Sequence, residues 1–169
     1  MKSDHRSGPD MPMKWQEGEV EGCEIRALRT FSDQRGWLAE FFRHDELPAQ
    51  LHPAMGYLSL TRAGVARGPH AHNDQTDLFV FYSGAFRLFV WDARRDSPTF
   101  GRRMRIDVGE LFPVIVVIPP GVVHAYRNIG AKDAFIINCP NRLYAGHGKR
   151  EPVDEVRYEE LEGNPFEMD

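Results

Sequence analysis

Apolar and polar positions along the chain fall into short runs separated by turn residues. From Val20 to Phe31, Val20, Gly22 and Glu24 alternate with Glu21, Cys23, Ile25 and Ala27, the period of a strand. Ser32-Asp33-Gln34-Arg35-Gly36 is turn chemistry. The aromatic-rich Trp37-Leu38-Ala39-Glu40-Phe41-Phe42 reads as a returning strand, so 20–42 is expected to form a hairpin. Asp45 to Leu51 has room for one helical turn, interrupted by Pro48. Further strands are expected over Tyr57–Arg62, Leu78–Tyr82, Ala85–Trp91, Arg102–Val108, Phe112–Ile118, Val122–Asn128 and Ala134–Cys139. No long amphipathic helix interrupts them. Short strands at this spacing predict an all-β sandwich or barrel.

The ends read differently. Residues 1–18 carry Ser, Gly, Pro and Met without periodicity and are expected to be a flexible leader, leaving 19–169 as a single domain. The stretch from Asn141 to Asp169 is charged and irregular, with a short helical piece expected around Asp154–Leu161. At 169 residues the chain is long enough for a hydrophobic core.

Composition narrows the classes. A net charge of −4 leaves no basic excess to neutralise a nucleic-acid backbone, so no nucleic-acid partner is expected. No apolar run approaches the ~18 residues that span a bilayer, and Met1–Asp10 has no signal-peptide core. Cys23 and Cys139 lie far apart in strand-like stretches, the pattern of buried free thiols in a reducing cytoplasm. Seventeen of the cations are Arg and four are Lys. Arg forks suit phosphate contacts, although a genomic codon bias accounts for the excess equally well.

The candidate chemistry lies in two places. His70 and His72 stand two apart, so on a strand both imidazoles face one way, and Asp77 follows. His124 opens a strand just after the turn Pro119-Pro120-Gly121. Three imidazoles and a carboxylate suit a first-row divalent metal. On otherwise apolar strands, inward polar groups need partners.

Two spacings carry a resemblance. Gly64, His70-x-His72, Asp77 and Gly84 are similar to the first cupin motif, with Asp in place of the usual Glu, and Pro119-x-Gly121-x-x-His124-x-x-x-Asn128 matches the end of the second. The resemblance implies a double-stranded β-helix, the cupin jelly roll, here with an N-terminal β-hairpin and an irregular C-terminal tail. A narrower resemblance, to the dTDP-4-dehydrorhamnose 3,5-epimerases, rests on Asp33-Gln34-Arg35-Gly36-Trp37 with Glu40 and Phe42, Gly64-Val65-Ala66-Arg67-Gly68-Pro69-His70, Asp92 to Gly101, and Ile118-Pro119-x-Gly121 with His124 and Tyr144.

What this resemblance implies is a sugar-nucleotide epimerase or isomerase that removes a proton beside a 4-keto group and returns one from the opposite face. His70 would be the base and Tyr144 the acid, with His72 and His124 in the same cavity. Arg35, Glu40 and Arg67 would hold the substrate. No cofactor is required on that reading, and a cytoplasmic homodimer in polysaccharide biosynthesis is implied. Three departures matter: the family's Lys after the base is Asp77 here, its Gln two residues past the base is His72, and its Gln-Asp-Asn ahead of the Arg-Gly motif is replaced by Met55-Gly56-Tyr57. One resolution is a divalent metal on His70, His72, Asp77 and His124, acting as Lewis acid. Another is metal-free proton transfer by the His pair, which resembles the His-x-His of the sugar 3,4-ketoisomerases. A metal-dependent cupin acting on another small molecule and a non-catalytic sugar-nucleotide-binding cupin are the alternatives.

Overall fold

The computed structural model describes residues 14–169 and is almost all β, as the strand pattern predicts. In chain order the strands are β1 (Gln16–Glu17), β2 (Glu24–Ala27), β3 (Thr30–Asp33), β4 (Gly36–Ala39), β5 (Tyr57–Thr61), β6 (Ala66–Ala71), β7 (Asp77–Phe81), β8 (Ala85–Trp91), β9 (Arg102–Gly109), β10 (Val114–Ile118), β11 (Val123–Asn128), β12 (Ala134–Asn138) and β13 (Val156–Arg157). They form a six-stranded sheet in the order β1-β9-β8-β11-β6-β13 and a five-stranded sheet in the order β2-β10-β7-β12-β5. The pair β3-β4 stands apart as a hairpin. Two sheets with crossed-over strand order are the cupin jelly roll.

Burial follows the two-residue period on both sheets. On β7, Phe79 and Phe81 join the cluster between the sheets, with Phe86, Leu88, Val90, Val116, Ile118, Tyr126 and Ile136. Leu78 and Val80 of the same strand face outward, where Leu28, Leu47, Phe41, Phe42 and Leu51 cover them. On the other sheet, Phe89, Trp91, Val123 and Ala125 face outward beneath Trp15, Tyr158 and Phe166. The central strands of the five-stranded sheet are therefore covered on both faces, which is why β7 and β10 read as continuous apolar runs. The same alternation turns Asp77 and His124 inward, each only 1% exposed.

Several local expectations are corrected. Residues 20–42 are not one hairpin: β2 pairs with β10 at the edge of the five-stranded sheet, and the hairpin is β3-β4 alone. The returning strand stops at Ala39, because Phe41 and Phe42 turn back to cover the outer core. The turn expected over 45–51 is a 3-10 turn, Ala49–Leu51, beginning after Pro48. In place of a helical piece over 154–161, Val156–Arg157 add to β6 as β13, and a 3-10 turn follows at Tyr158–Glu160. Of the expected leader, residues 1–13 lie outside the described residues, while Gln16–Glu17 pair in parallel with Arg102–Arg103. Both cysteines are free, Cys139 buried and Cys23 partly so.

Candidate active site

The site lies where the mouth between the two sheets opens into a cleft of about 1280 Å³. Ala66, Arg67, Gly68 and His70 of β6 line it from one sheet, and Tyr57 and Ser59 of β5 from the other. Loop residues 73–75, Tyr144 and the segment around Asp154 complete the rim. Gly68 lets β6 pass close to β11. It has φ +80°, and a Cβ there would lie 2.6 Å from the carbonyl oxygen of His124 and 3.0 Å from His70 Nδ1.

His70 sits opposite His124 in the β6–β11 ladder, and a register shift follows between His124 and Tyr126. The two rings are 4.4 Å apart edge to face. His72, just past the end of β6, presents Nε2 to Asp77 Oδ2 at 3.2 Å, and His124 Nε2 lies 3.3 Å from the same oxygen. The sequence thus brings His70, His72, Asp77 and His124 together, with one ligand atom from each within 4.8 Å of the others. His70 and His72 face the cleft, and Asp77 and His124 are packed behind them.

A buried carboxylate needs this much compensation. Asp77 Oδ1 accepts hydrogen bonds from Gln75 Nε2 at 2.9 Å and Asn138 Nδ2 at 2.8 Å. Burial alone would raise its pKa. The imidazoles of His124 and His72 overcome that and hold it well below the ordinary carboxylate range. Burial opposes charge on His72 too, but the contact with Asp77 outweighs it and raises the His72 pKa. His70 has no such partner: burial, then the neighbouring His124 and His72, push it down to about 2, so its ring is neutral.

The outer nitrogens are fixed by backbone. His72 Nδ1 donates to the Asp154 carbonyl, and His124 Nδ1 donates to Val122 O at 3.2 Å. Both rings therefore direct Nε2 at Asp77. Asp154 does more, because its carboxylate accepts the backbone N–H groups of Asn73, Asp74 and Gln75 at 2.8, 2.9 and 2.9 Å. It clasps the loop that joins His72 to Asp77.

The remaining expected residues divide. Arg67 lines the cleft, and its guanidinium donates to Thr61 Oγ1 and Leu60 O, neutral acceptors that leave its charge uncompensated by any carboxylate among the described residues. Tyr144 also lines the cleft, 53% exposed. Arg35 and Glu40 do not line the cleft of their own chain. Arg35 pairs with Asp33 on the hairpin, and Glu40, just past the end of β4, lies 3.8 Å from Arg43. Sequence reasoning missed Tyr57, Gln75, Asn138 and Asp154. The one signal for Asn138 was a polar residue at an inward position of an apolar strand.

A jelly roll with an imidazole-lined cleft between its sheets defines a cupin. The chain matches the family of dTDP-4-dehydrorhamnose 3,5-epimerases over residues 17–153, and it belongs to that family, whose members are sugar-nucleotide epimerases and isomerases. It is similar to the "Probable low-salt glycan biosynthesis epimerase Agl13" of Haloferax volcanii, 36% identical over 126 residues that cover 74% of this chain and 81% of that one. The spore coat polysaccharide biosynthesis protein SpsL of Bacillus subtilis is 35% identical over 125 residues, covering 74% and 82%. The fold is shared with a dTDP sugar isomerase from Desulfovibrio desulfuricans, with a TM-score of 0.73, 24% identity and 87% and 88% of the two chains covered. It is also shared with ChmJ, a 3′-monoepimerase from Streptomyces bikiniensis, with a TM-score of 0.72, 24% identity and coverage of 83% and 71%. Among the described residues no helix is long and apolar enough to cross a membrane.

Proposed function

We propose that the protein removes and returns a proton beside the keto group of a dTDP-linked 4-keto-6-deoxy sugar, in the cytoplasmic biosynthesis of a polysaccharide or glycan. The observation that carries this reading is that His70, Tyr144 and the uncompensated Arg67 line one cleft. A 4-keto group acidifies the neighbouring C–H bonds. His70, neutral, takes the proton, and the electron pair moves to the carbonyl oxygen as an enolate. Tyr144 gives a proton to the carbon from the other face, which inverts it. Arg67 offers its fork to the diphosphate. The low basicity that burial gives His70 is offset when an enolate forms beside it, since that negative charge favours the imidazolium.

A second reading has a specific observation behind it. Asp77 Oδ2 and His124 Nε2 are buried and have no hydrogen-bond partner among the described residues, although they lie 3.3 Å apart. Two imidazoles whose Nδ1 atoms donate to backbone carbonyls, with Nε2 directed at a carboxylate, is the donor set of a divalent metal with its outer partners in place. The residues fit such an ion: His70, His72, Asp77 and His124 would hold it. When bound, a metal would polarise the substrate carbonyl as a Lewis acid. His70 would then be a ligand and could not serve as base.

The two readings separate experimentally. Solvent deuterium should enter a dTDP-4-keto-6-deoxy sugar at C3 or C5, and no incorporation at either carbon rules out the proton-transfer reading. Protein purified without chelator or His-tag should carry close to one equivalent of metal on the second reading, and less than a tenth of an equivalent discards it. Saturable dTDP-sugar binding with neither exchange nor metal would mark a non-catalytic binding cupin.

We further propose that the protein is a homodimer. Phe31, Trp37 and Leu38 are exposed on a two-stranded hairpin, and Leu58 and Leu60 are exposed on the edge strand β5. Arg35 and Glu40 ride on that hairpin, so a second copy is where they would meet a cleft.

A further inference from the structure

The cluster of imidazoles at the cleft is built around a buried carboxylate, Asp77. A carboxylate beside a forming enolate raises the barrier, so some neutral or cationic donor has to face the carbonyl oxygen. The five-stranded sheet supplies one. Tyr57 of β5 stands directly opposite Asn138 of β12, and its ring lines the cleft.

The direction of the hydrogen bonds decides what the Tyr57 hydroxyl can do. Asp77 is an acceptor, so the Asn138 amide must present Nδ2 to it, which it does at 2.8 Å. The same Nδ2 donates its other hydrogen to the Tyr57 hydroxyl at 3.0 Å. The cost of this orientation is visible, since Asn138 Oδ1 is left buried without a partner among the described residues. Tyr57 thus accepts from Asn138, and its own proton has no protein acceptor among the described residues. Burial, chiefly, raises the phenol to about 12, so it keeps that proton, while the residue as a whole is 44% exposed. Among the described residues Tyr144 has no comparable tie to the cluster: its one hydrogen bond there runs from its backbone N–H to Met55 Sδ.

We infer that Tyr57 is a catalytic residue, whose O–H donates a hydrogen bond to the substrate's carbonyl oxygen and stabilises the enolate. It does not transfer its proton. His70 and Tyr57 line the cleft from opposite sheets, so the base and this donor reach a bound sugar from different sides. Asp77, through Asn138, fixes the hydroxyl so that no reorganisation is needed as charge develops. The inference rests on the proton-transfer reading above and adds to it a residue that separates enolate formation from reprotonation.

The test compares Tyr57→Phe with Tyr144→Phe, using dTDP-4-keto-6-deoxyglucose in deuterium oxide. An acid that only reprotonates the far face is not needed for exchange, because the base can return a solvent deuteron to the face it came from. Tyr144→Phe should therefore keep exchange and lose the epimeric product. Tyr57→Phe should lower kcat for exchange about 100-fold, with KM and dTDP affinity within about twofold of wild type. Exchange by Tyr57→Phe at the wild-type rate overturns the inference and leaves the proton-transfer reading standing. A loss confined to KM, or a loss of dTDP binding, also overturns it, since either makes Tyr57 a binding or structural group. No exchange by the wild-type protein removes the proton-transfer reading and this inference together.

Discussion

At the scale of single residues, conserving a motif-like stretch and using it chemically are different things. Asp92 opens the Asp-Ala-Arg-Arg-Asp-Ser-Pro-Thr-Phe-Gly stretch that carries much of the family resemblance, yet it does not line the cleft. Its carboxylate is fully buried and accepts from Arg94 Nε at 2.9 Å and Nη2 at 2.8 Å, and from Ser97 and Thr99 hydroxyls. Burial raises its pKa, but those donors prevail and hold it at about 2 against an ordinary 3.8. A depressed carboxylate stabilises the fold fully above its unfolded pKa, and that contribution is lost as pH falls through the folded value. Asp92→Asn should therefore cost about 2 kcal/mol at pH 7 and almost nothing near pH 2. Urea midpoints of both proteins at the two pH values check this, and an equal gap at both would mean that charge is not the cause. His70 sits at the other extreme, where position rather than stability is at stake. His70→Ala should abolish deuterium exchange while leaving dTDP affinity near wild type, and intact exchange would transfer the role of base to another group.

At the scale of elements, the strand pattern and the histidine spacing were readable because both depend on neighbours in sequence. Period-two alternation places Asp77 and His124 inward once the strands are known, and His70-x-His72 needs no tertiary information to share a face. Tyr57 and Asn138 are another matter. They are 81 residues apart and meet only through β-pairing, and neither spacing nor composition records that pairing. The short pieces failed for a related reason. Residues 154–161 are polar enough to suit one helical turn, but β6 offers an unpaired edge, and Val156–Arg157 take it. That addition is what brings Asp154 over loop 73–75. Removing its carboxylate leaves three backbone N–H groups without their acceptor, of which Gln75 carries the side chain that touches both His72 and Asp77. Asp154→Ala should destabilise the protein by about 1–3 kcal/mol and speed amide exchange at residues 73–75. Unchanged exchange there would show that the loop is held by other contacts.

At the scale of the whole molecule, two groups of exposed apolar residues sit where strands lack neighbours. A two-stranded hairpin is marginal by itself in water, yet β3-β4 carries Phe31, Trp37 and Leu38 on open faces, with Trp37 and Leu38 each 59% exposed. The barrel offers a matching surface at β5, an edge strand with Leu58 59% and Leu60 40% exposed. A second copy of the chain would cover both sets at once by symmetric exchange of the two surfaces. The same docking would carry Arg35, paired here with Asp33, and Glu40, paired here with Arg43, toward the partner's cleft. A double substitution, Trp37→Ser with Leu38→Ser, should give a monomer by light scattering under conditions where the wild type is a dimer. It should keep the melting midpoint of the barrel within a few degrees, since neither residue belongs to a core cluster. If Arg35 completes the partner's site, the monomer should also bind dTDP at least about tenfold more weakly, the loss of one charge-assisted contact of roughly 1.5–3 kcal/mol. A monomeric wild type would refute the dimer. A monomeric variant with full dTDP affinity would keep the interface and remove Arg35 from the site, leaving Arg67 as the guanidinium that meets the diphosphate.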